Sequence, residues 1–572
     1  MKKTGAQIVL ECLAREGVEY IFGYPGGANL PLYDQLPAFP QLKHILVRHE
    51  QGAAHAADAY ARVTGKVGVC FATSGPGATN LVTGIANACM DSVPMVAITA
   101  EVVTWLIGRD GFQEADITGI TLPITKHNTL VLDVDDMART VREAFHIAGT
   151  GRPGPVLIDI PRDILQQETE FEYPEKVNLS SYHPTLKGHP TQIKRAAQLI
   201  AEAERPIIMA GHGVIISRAF DELKELAEKA HIPVISTLLG LGSFPGSHKL
   251  NLGMPGMHGM YWSNMAITEC DLLIGVGCRF DDRVTGRLKD FAPHARIIHI
   301  DIDPAEIGKN VKTAVPIVGD VKNVLRALIP QVKPKRHQEW YEHLQQIRQE
   351  HPSIAIPETD NLLPQYVIKK IYEITGSDAY YVTGVGQHQM WAAQFFWGDR
   401  PASFITSGGL GTMGFEIPAA MGVQFAYPKD TVWAFCGDGG FLMTVQQLAT
   451  IVEYELPIKF AIIHNSYLGM VRQWQTMFYN NRLISTHLFS PDFVKLADAF
   501  GVAGLRVTDK TQVVPAIEQA LHHPGPVVID FEVDGQENVY PMVPPGASLA
   551  ETIDQPKVER APERKPRARV KA

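Results

Sequence analysis

The stretch Cys436-Gly437-Asp438-Gly439-Gly440 follows the apolar run 431–435 and precedes a second apolar run, 458–463. We predict a strand, a tight glycine turn, a helix over residues 445–454 and a second strand, with Asn465 just beyond its end. The carboxyl ends of parallel strands meet at one sheet edge, where open α/β sheets bind ligands. Asp438 and Asn465 then offer two oxygen ligands of the kind that Mg²⁺ shares with diphosphate and water. The alternative is an Asp-Gly turn that merely ends a buried strand.

Length and composition bound the class of protein. A chain of 572 residues is too long for one core, so we expect three or four domains. A net charge of -9 gives a nucleic-acid partner no electrostatic support. The six cysteines are scattered without a CxxC pair, which favours reduced thiols over disulfides or zinc. With no signal peptide or spanning segment evident, we predict a cytoplasmic enzyme that does not bind a membrane.

Strands alternate with helices along most of the chain, which predicts parallel sheets covered on both faces. We expect α/β domains at residues 1–165, 190–332 and 362–545, the first and third alike in layout. Polar and Pro-rich residues at 166–192 and a charged stretch at 333–361 are interpreted as linkers. Residues 546–572, basic and Pro-rich toward their end, are predicted to be a disordered tail. Such a tail is either simply solvated or docks a regulatory subunit.

Several further segments accompany the Asp438 turn. They are a glycine loop at 23–28, a lone carboxylate (Glu50) within 48–54, a turn at 73–80, and the segments 112–114, 126–128, 152–155, 279–286 and 468–474. Together they resemble thiamine-diphosphate enzymes, and in detail the catalytic subunits of acetohydroxyacid synthases (acetolactate synthases), over roughly residues 1–550. The resemblance implies three doubly wound parallel-sheet domains of the thiamine-diphosphate enzyme fold. In chain order these are a pyrimidine-binding domain, a central FAD-binding domain and a diphosphate- and Mg²⁺-binding domain.

The resemblance also implies how the coenzyme is held. Glu50, among small apolar residues, would bond the aminopyrimidine ring and promote its imino tautomer; the alternative is a solvated Glu at a helix start. Asp438, Asn465 and the backbone oxygen of Tyr467 map onto the metal ligands, although His464 departs from the wider family's Asn. The cofactor-binding set is Tyr24, Pro25, Gly26, Gln387, His388, Gly411, Met413, Gly437, Asp438, Gly439, Gly440 and Met470. Gly27, Phe112, Gln113 and Lys126 join Glu50 in the implied catalytic set.

For the second substrate, the resemblance points to Arg283 and Trp474. An Arg is a natural clamp for a 2-ketoacid carboxylate, and a neighbouring Trp can select the size of its alkyl group. The alternatives are a surface ion pair with Asp281 or Asp282, and a Trp buried in the core. Met257 would line the same cavity, and Gly27 would donate a backbone N–H to a developing oxyanion.

Glu101 is a departure from the family, which has a neutral amide at that position near the site entrance. If it points inward, repulsion of a ketoacid carboxylate about 6 Å away would be roughly 3 kcal/mol at an effective dielectric near 20. That repulsion would favour a neutral aldehyde, or a proton, as acceptor. The alternative is an outward, solvated side chain with little effect.

The resemblance further implies a bound FAD that is not needed for redox chemistry. The matching positions are Arg152, Gly211, Gly213, Thr237, Leu238, His258, Arg279, Asp301 and Asp320. Glycines 211 and 213 alone are a weak signal, because glycines often just end a strand. Asp301, at a predicted strand end, is better placed for a ribose hydroxyl.

The expected function is that of an acetolactate synthase. Pyruvate is decarboxylated, and the resulting enamine is ligated to a second 2-ketoacid, giving 2-acetolactate or 2-aceto-2-hydroxybutyrate for branched-chain amino-acid synthesis. Because the pyrimidine and diphosphate ends belong to different domains, we expect a homodimer or homotetramer with sites between chains. One rival is a 2-ketoacid decarboxylase or aldehyde carboligase of the same fold. Another is a non-catalytic flavin-binding scaffold, against which Glu50, Asp438 and Asn465 argue.

Overall fold

The computed structural model describes residues 2–554, and the predicted tail beyond residue 554 lies outside the described residues. Within the described part, three all-parallel sheets occupy the first, central and third regions of the chain. Helices cover their faces, and the strands between them are almost wholly buried. The predicted α/β class with three doubly wound domains is confirmed.

The first domain is built on a six-stranded sheet in the order β3-β2-β4-β5-β7-β6, and it also contains a separate antiparallel pair, β1–β8. Its strands are β1 (Lys2–Thr4), β2 (Tyr20–Gly23), β3 (Lys43–Leu46), β4 (Gly68–Ala72), β5 (Met95–Glu101), β6 (His127–Leu130), β7 (Pro155–Pro161) and β8 (Glu168–Glu170). Its helices are α1 (Gly5–Arg15), α2 (Leu30–Gln35), α3 (Glu50–Thr64), α4 (Pro76–Asn80), α5 (Val82–Asp91), α6 (Ile117–Thr121), α7 (Met137–Gly149) and α8 (Arg162–Gln166).

The central domain has a five-stranded sheet in the order β10-β9-β11-β12-β13. Its strands are β9 (Pro206–Ala210), β10 (Val234–Ser236), β11 (Leu272–Val276), β12 (Arg296–Asp301) and β13 (Val315–Val318). Its helices are α9 (Pro190–Glu202), α10 (His212–Ile216), α11 (Phe220–Ala230), α12 (Tyr261–Glu269), α13 (Asp282–Thr285), α14 (Val321–Leu328) and α15 (Gln338–Glu350).

The third domain has a six-stranded sheet in the order β15-β14-β16-β17-β19-β18. Its strands are β14 (Tyr380–Thr383), β15 (Phe404–Thr406), β16 (Val432–Gly437), β17 (Lys459–His464), β18 (Ala503–Val507) and β19 (Val527–Glu532). Its helices are α16 (Pro364–Thr375), α17 (Gln387–Phe395), α18 (Glu416–Ala426), α19 (Asp438–Thr444), α20 (Leu448–Glu453), α21 (Gly469–Phe478), α22 (Phe493–Ala499) and α23 (Lys510–His522).

The first and third sheets share one strand order. Counted from the first strand of each six-stranded sheet, both follow the sequence 2-1-3-4-6-5. In both sheets the order reverses at the first strand, which creates the crevice where such sheets bind ligands. The layout that the sequence analysis predicts for these two domains is therefore repeated in the structure.

Helices α3 and α18 join these two domains. The alanine-rich α3 is capped by the His49 side chain, which accepts from Gln51 N, and by Gly65 in the left-handed conformation. Small residues let the two helices touch: a methyl group at Gly422 would lie 2.1 Å from the main-chain oxygen of Ala56. The helices share one apolar core, which fixes the two domains against each other within the chain.

Three predictions of local structure were wrong. Helix α19 begins at Asp438 itself, and residues 445–447 form a 3₁₀ turn before α20. The supposed linker 333–361 contains α15, whose Trp340, Leu344 and Ile347 are buried against the central domain. The supposed linker 166–192 contains β8, paired with β1.

The predicted tail also starts too early. Residues 549–551 form a 3₁₀ turn that a Ser548 capping box begins, and Ala547 and Leu549 are buried in the central domain's core. Within residues 2–554, none of the helices has the length and apolar character needed to cross a bilayer.

Candidate functional site

The third domain presents its polar residues where its strand order reverses. Strands β14, β16 and β17 are neighbours, and the chain leaves their carboxyl ends at Gly386, Asp438 and Asn465. Gly386 has φ of 151°, which favours glycine, and lets the chain turn directly into α17 with Gln387 and His388. The sheet therefore brings together residues that are far apart in sequence.

Asp438 begins α19 and is almost completely buried, at 2% exposure. Its Oδ1 atom accepts from the N–H of Gly439 at 3.0 Å, and its Oδ2 atom accepts from the N–H of Ser466 at 2.8 Å. The Ser490 hydroxyl donates to Oδ2 at 3.3 Å. Burial raises the pKa of this carboxyl, and the positive charge of His464 opposes that rise. The carboxylate is thus oriented before any cation arrives.

Asn465 and Tyr467 follow β17 on the other side of the same crevice. The Tyr467 N–H donates to Asn465 Oδ1 at 3.0 Å, and Asn465 Nδ2 donates to Gln387 Oε1 at 3.3 Å. Gln387 in turn donates to Gln473 Oε1 at 2.9 Å. The three predicted metal ligands line one cavity with Gln387, and oxygen ligands with this chemistry suit Mg²⁺.

The surroundings of His388 indicate whether an anion fits this crevice. Its ring is buried, and its Nε2 atom has no hydrogen-bond partner among residues 2–554. Burial lowers the pKa of His388 to about 3. A methyl group at Gly437 would lie 2.8 Å from His388 Cε1, so the glycine keeps this approach open. An unsatisfied buried ring nitrogen beside glycine-lined strand ends fits a diphosphate that accepts hydrogen bonds.

These residues line a cavity of about 3040 Å³ to which all three domains contribute residues. Ligand pockets usually measure about 300–1,000 Å³, so this cavity has room for more than one cofactor-sized molecule. Nine of the predicted cofactor-binding residues line it: Gln387, His388, Gly411, Met413, Gly437, Asp438, Gly439, Gly440 and Met470.

The predicted acceptor residues line the same cavity. The Arg283 guanidinium carbon lies 6.0 Å from the centre of the Trp474 ring. Arg283 also forms an ion pair with Asp282 at 3.2 Å while it lines the cavity, so the two alternatives for Arg283 do not exclude each other. Trp474 is only partly buried, which excludes a role as a core Trp. Met257 fixes the segment, because its N–H donates to the main-chain oxygen of Arg283 at 2.8 Å.

Eight of the nine predicted flavin-binding residues also line this cavity: Arg152, Gly213, Thr237, Leu238, His258, Arg279, Asp301 and Asp320. Gly211 instead packs on backbone, since a methyl group there would lie 2.3 Å from the main-chain oxygen of Gly277. Asp301 ends β12, and burial raises its pKa to about 6. The buried Nδ1 atom of His258 has no hydrogen-bond partner in the described chain. A polar ligand with ribose hydroxyls fits these unsatisfied groups.

Glu50, at the start of α3, and the glycine loop after β2 are called the Glu50 group. Glu50 is 8% exposed at the start of α3, and Asn80 Nδ2 donates to its Oε2 atom at 2.9 Å. A solvated Glu at a helix start is therefore wrong. Tyr24, Pro25, Gly26 and Gly27 follow β2 at the same sheet edge. In the described chain, Glu50 and this glycine loop do not line the cavity that contains Asp438.

The remaining first-domain predictions are also outside that cavity. Phe112 is 88% exposed, and Gln113 lies beside the turn at Gly75, where a methyl group would approach its main-chain oxygen to 2.8 Å. Lys126 donates to the main-chain oxygens of Ile147 and Thr150 at the end of α7, and burial lowers its pKa to about 8. In this chain its ammonium group caps a helix.

Glu101 ends β5 and is buried, so the solvated alternative is wrong. At 4% exposure it is not solvated, yet within the described chain it does not line the Asp438 cavity. Its Oε1 atom accepts from the N–H of Val102 at 2.6 Å, and burial raises its pKa.

The sequence analysis missed several residues that hold the site together. Asn80 orients Glu50, and Gln473 connects Gln387 to the main-chain oxygen of Val539. Asp58 and Asp91 form a buried ion network with Arg62. The available signal was the presence of carboxylates in otherwise apolar or alanine-rich helices.

Family models match three separate parts of the chain. The thiamine pyrophosphate enzyme N-terminal TPP binding domain matches residues 3–120, and the thiamine pyrophosphate enzyme central domain matches residues 193–328. The thiamine pyrophosphate enzyme C-terminal TPP binding domain matches residues 384–531. The last range includes Asp438, Asn465 and Gln387.

Curated relatives match over nearly the whole chain. The acetolactate synthase large subunit IlvB1 of Mycobacterium tuberculosis is 54% identical over 561 residues, covering 95% of this chain and 90% of the relative. The acetolactate synthase large subunit of Corynebacterium glutamicum is 50% identical, covering 96% and 89%. The probable acetolactate synthase large subunit of Methanocaldococcus jannaschii is 50% identical, covering 97% and 96%.

Proposed function

Since this chain belongs to the thiamine pyrophosphate enzymes, within the family of acetolactate synthase large subunits, we propose that it condenses two 2-ketoacids by way of thiamine diphosphate. It is a thiamine-diphosphate-dependent acetolactate synthase. Pyruvate loses CO₂, and its two-carbon remainder joins a second 2-ketoacid to give 2-acetolactate or 2-aceto-2-hydroxybutyrate. This proposal rests on one observation: a single cavity is lined by Asp438, Asn465, Gln387, His388 and Arg283.

The chain's own residues bind and orient. Asp438, Asn465 and the main-chain oxygen of Tyr467 would hold Mg²⁺, and His388 would donate to the diphosphate. Met413 lies in the same wall and would support the coenzyme between its two ends. Thiamine diphosphate, when bound, supplies the carbanion chemistry, while the protein positions it and excludes water. The buried Glu50 would exchange a proton with the aminopyrimidine.

A second copy of the chain would bring Glu50 to this cavity. Two large apolar side chains support the proposal: Phe112, beside the Glu50 group, is 88% exposed, and Phe489, in the cavity wall, is 86% exposed. Side chains of this size rarely remain in water unless a partner covers them. The proposed active unit is therefore a homodimer, alone or within a homotetramer, with Glu50 and Asp438 of each site contributed by different chains.

Mixing two inactive variants tests this arrangement. Glu50→Gln and Asp438→Asn chains, dissociated and reassociated at equal amounts, should regain about a quarter of the wild-type activity. Random pairing makes about half of the dimers mixed, and each mixed dimer holds one site with both residues intact. Each variant reassociated with itself is the control. Sites formed within one chain would give no recovery above those controls.

Product analysis tests the reaction itself. With pyruvate, thiamine diphosphate and Mg²⁺, the protein should release acetolactate in excess over acetaldehyde. Arg283→Gln should lower the acetolactate-to-acetaldehyde ratio about 10-fold, because a charge-assisted hydrogen bond to the acceptor carboxylate is worth roughly 1.5–3 kcal/mol. Arg296→Gln, at an exposed ion pair with Glu202, is the matched control. Acetaldehyde as the main product of the wild-type protein would favour the rival decarboxylase or aldehyde carboligase.

Three further features belong to the proposal. FAD would occupy the end of the cavity near Arg152 and Asp301, as a structural group rather than a redox centre. A small regulatory subunit is suggested by relatives named as large subunits. The cytoplasmic location stays a prediction from the sequence.

A further inference from the structure

We propose that Asp91 is a positioning residue of the thiamine site, which holds the 407–413 loop in place from the first domain. This inference rests on the proposed function, because it concerns how the coenzyme's binding wall is kept in shape. The 407–413 loop follows β15 and contributes Gly411 and Met413 to the cavity. Asp91 ends α5 and is 2% exposed.

The Asp91 carboxylate binds the loop through main-chain groups. Its Oδ1 atom accepts from the N–H of Gly409 at 2.7 Å, and its Oδ2 atom accepts from the N–H of Gly408 at 3.1 Å. A methyl group at Gly409 would lie 2.8 Å from Asp91 Oδ1, so only glycine permits this approach. Leaving such buried amides unpaired carries a desolvation cost, which the loop can avoid only by moving.

A buried cation keeps Asp91 in this orientation. Arg62 donates from Nη2 to Asp91 Oδ2 at 2.8 Å and from Nε to Asp58 Oδ1 at 2.5 Å. Its Nη1 atom also donates to the main-chain oxygen of Thr406, immediately before the loop, at 3.1 Å. The Arg62 side chain is 6% exposed and Asp58 is fully buried. Removing one partner from such a buried ion network leaves a charge without compensation, which strongly disfavours the native geometry.

A second connection holds the loop at both ends. The Ser407 hydroxyl donates to Asn87 Oδ1 at 2.5 Å and accepts from the N–H of Thr412 at 2.8 Å. The Thr412 hydroxyl donates to the same Asn87 oxygen at 3.2 Å. Gly411, with φ of +72°, and Met413 flank Thr412. The loop on the amino-terminal side of Met413 is therefore held by a polar group of another domain.

The main chain of the same segment faces the flavin end of the cavity, which supplies an internal control. The Asp91 carbonyl oxygen accepts from His212 Nδ1 at 2.7 Å, and the Ser92 hydroxyl accepts from Arg152 Nε at 2.8 Å. Neither contact involves the Asp91 carboxylate. Loss of Asp91's carboxylate should therefore weaken thiamine diphosphate binding selectively.

The test compares three variants by calorimetric titration with thiamine diphosphate and Mg²⁺, alongside FAD titration and thermal unfolding. Asp91→Asn turns one carboxylate oxygen into a donor that faces N–H groups, and it should raise the thiamine diphosphate Kd about 10-fold. Ser407→Ala should raise it about 3-fold. Asp136→Asn, at an exposed ion pair with Arg139, should change it less than about 2-fold. The FAD Kd should stay within about 2-fold throughout.

Folded Asp91→Asn protein with an unchanged thiamine diphosphate Kd would overturn the proposal. An equal rise in both Kd values would also overturn it, because general loosening would then explain the effect. Should Asp91→Asn fail to fold, Gly409→Ala, whose methyl group would lie 2.8 Å from Asp91 Oδ1, decides by the same criteria. Failure of the proposed function is separate: the wild-type protein itself would then take up no thiamine diphosphate.

Discussion

Replacement of Glu50 by Gln should lower turnover of pyruvate about 10²–10⁴-fold while the affinity for thiamine diphosphate changes little. The substitution keeps the size of the side chain, and its amide oxygen can still accept from Asn80. What is lost is a group that can accept and return a proton, and positioned acid–base groups contribute rate factors of that size. Coenzyme affinity should persist, because the metal and diphosphate contacts lie in another domain.

The measurement is steady-state turnover together with calorimetric coenzyme binding. Glu453→Gln is the matched control. Glu453 is exposed and pairs with Arg48, and Arg48 lies two residues before Glu50 in the chain. Turnover of Glu50→Gln within about threefold of the wild type would remove Glu50 from the mechanism. A large fall in coenzyme affinity, with turnover at saturation intact, would assign it to binding instead.

Asp438→Asn should weaken the binding of thiamine diphosphate with Mg²⁺ by about 100-fold or more, equivalent to roughly 2.7 kcal/mol. A carboxylate is the only charged group among the three proposed metal ligands, and Mg²⁺ is held mainly by carboxylates and substrate phosphates. The asparagine would also point an N–H group at the N–H of Ser466, where the carboxylate now accepts. Stability of the unliganded protein should therefore fall by about 1–3 kcal/mol.

Calorimetry at several Mg²⁺ concentrations measures this change, and thermal unfolding separates it from the loss of stability. Asp430→Asn is the control, because Asp430 pairs with Arg400 in the same domain at 2.6 Å and is partly exposed. If Asp438→Asn bound the coenzyme as tightly as the control, the metal site would have to lie elsewhere. High Mg²⁺ should restore part of the affinity, as expected for a weakened ligand set.

The sequence was most informative where chemistry and strand ends coincide. Asp438 and Asn465 could be assigned to one sheet edge because each follows a buried apolar run, and the structure brings both to the same crevice. Their local backbone was less predictable. Glycines 439 and 440 disfavour a helix, yet α19 begins at Asp438, because the buried strand before it and the turns around it fix the backbone.

Residues that act across domains could not be found from local pattern. Arg62 of α3 binds Asp91 of α5, and Asp91 binds the 407–413 loop. Both contacts depend on how α3 and α5 pack beside this loop. Strands β1 and β8 were missed because they are short and charged. In the structure, the oppositely charged residues Lys2 and Glu170 lie opposite each other in this strand pair. The location of Glu50 apart from Asp438 follows from the packing of α3 on α18, which periodicity alone does not specify.

The shared 2-1-3-4-6-5 order of the outer sheets has an evolutionary consequence. Duplication of one ancestral gene, followed by divergence, would leave this pattern on either side of an inserted central domain. The ancestor would then have been a short chain whose identical copies faced each other across the coenzyme. Glu50 and Asp438, which belong to different outer domains, would be later specialisations, acquired separately by the two descendants.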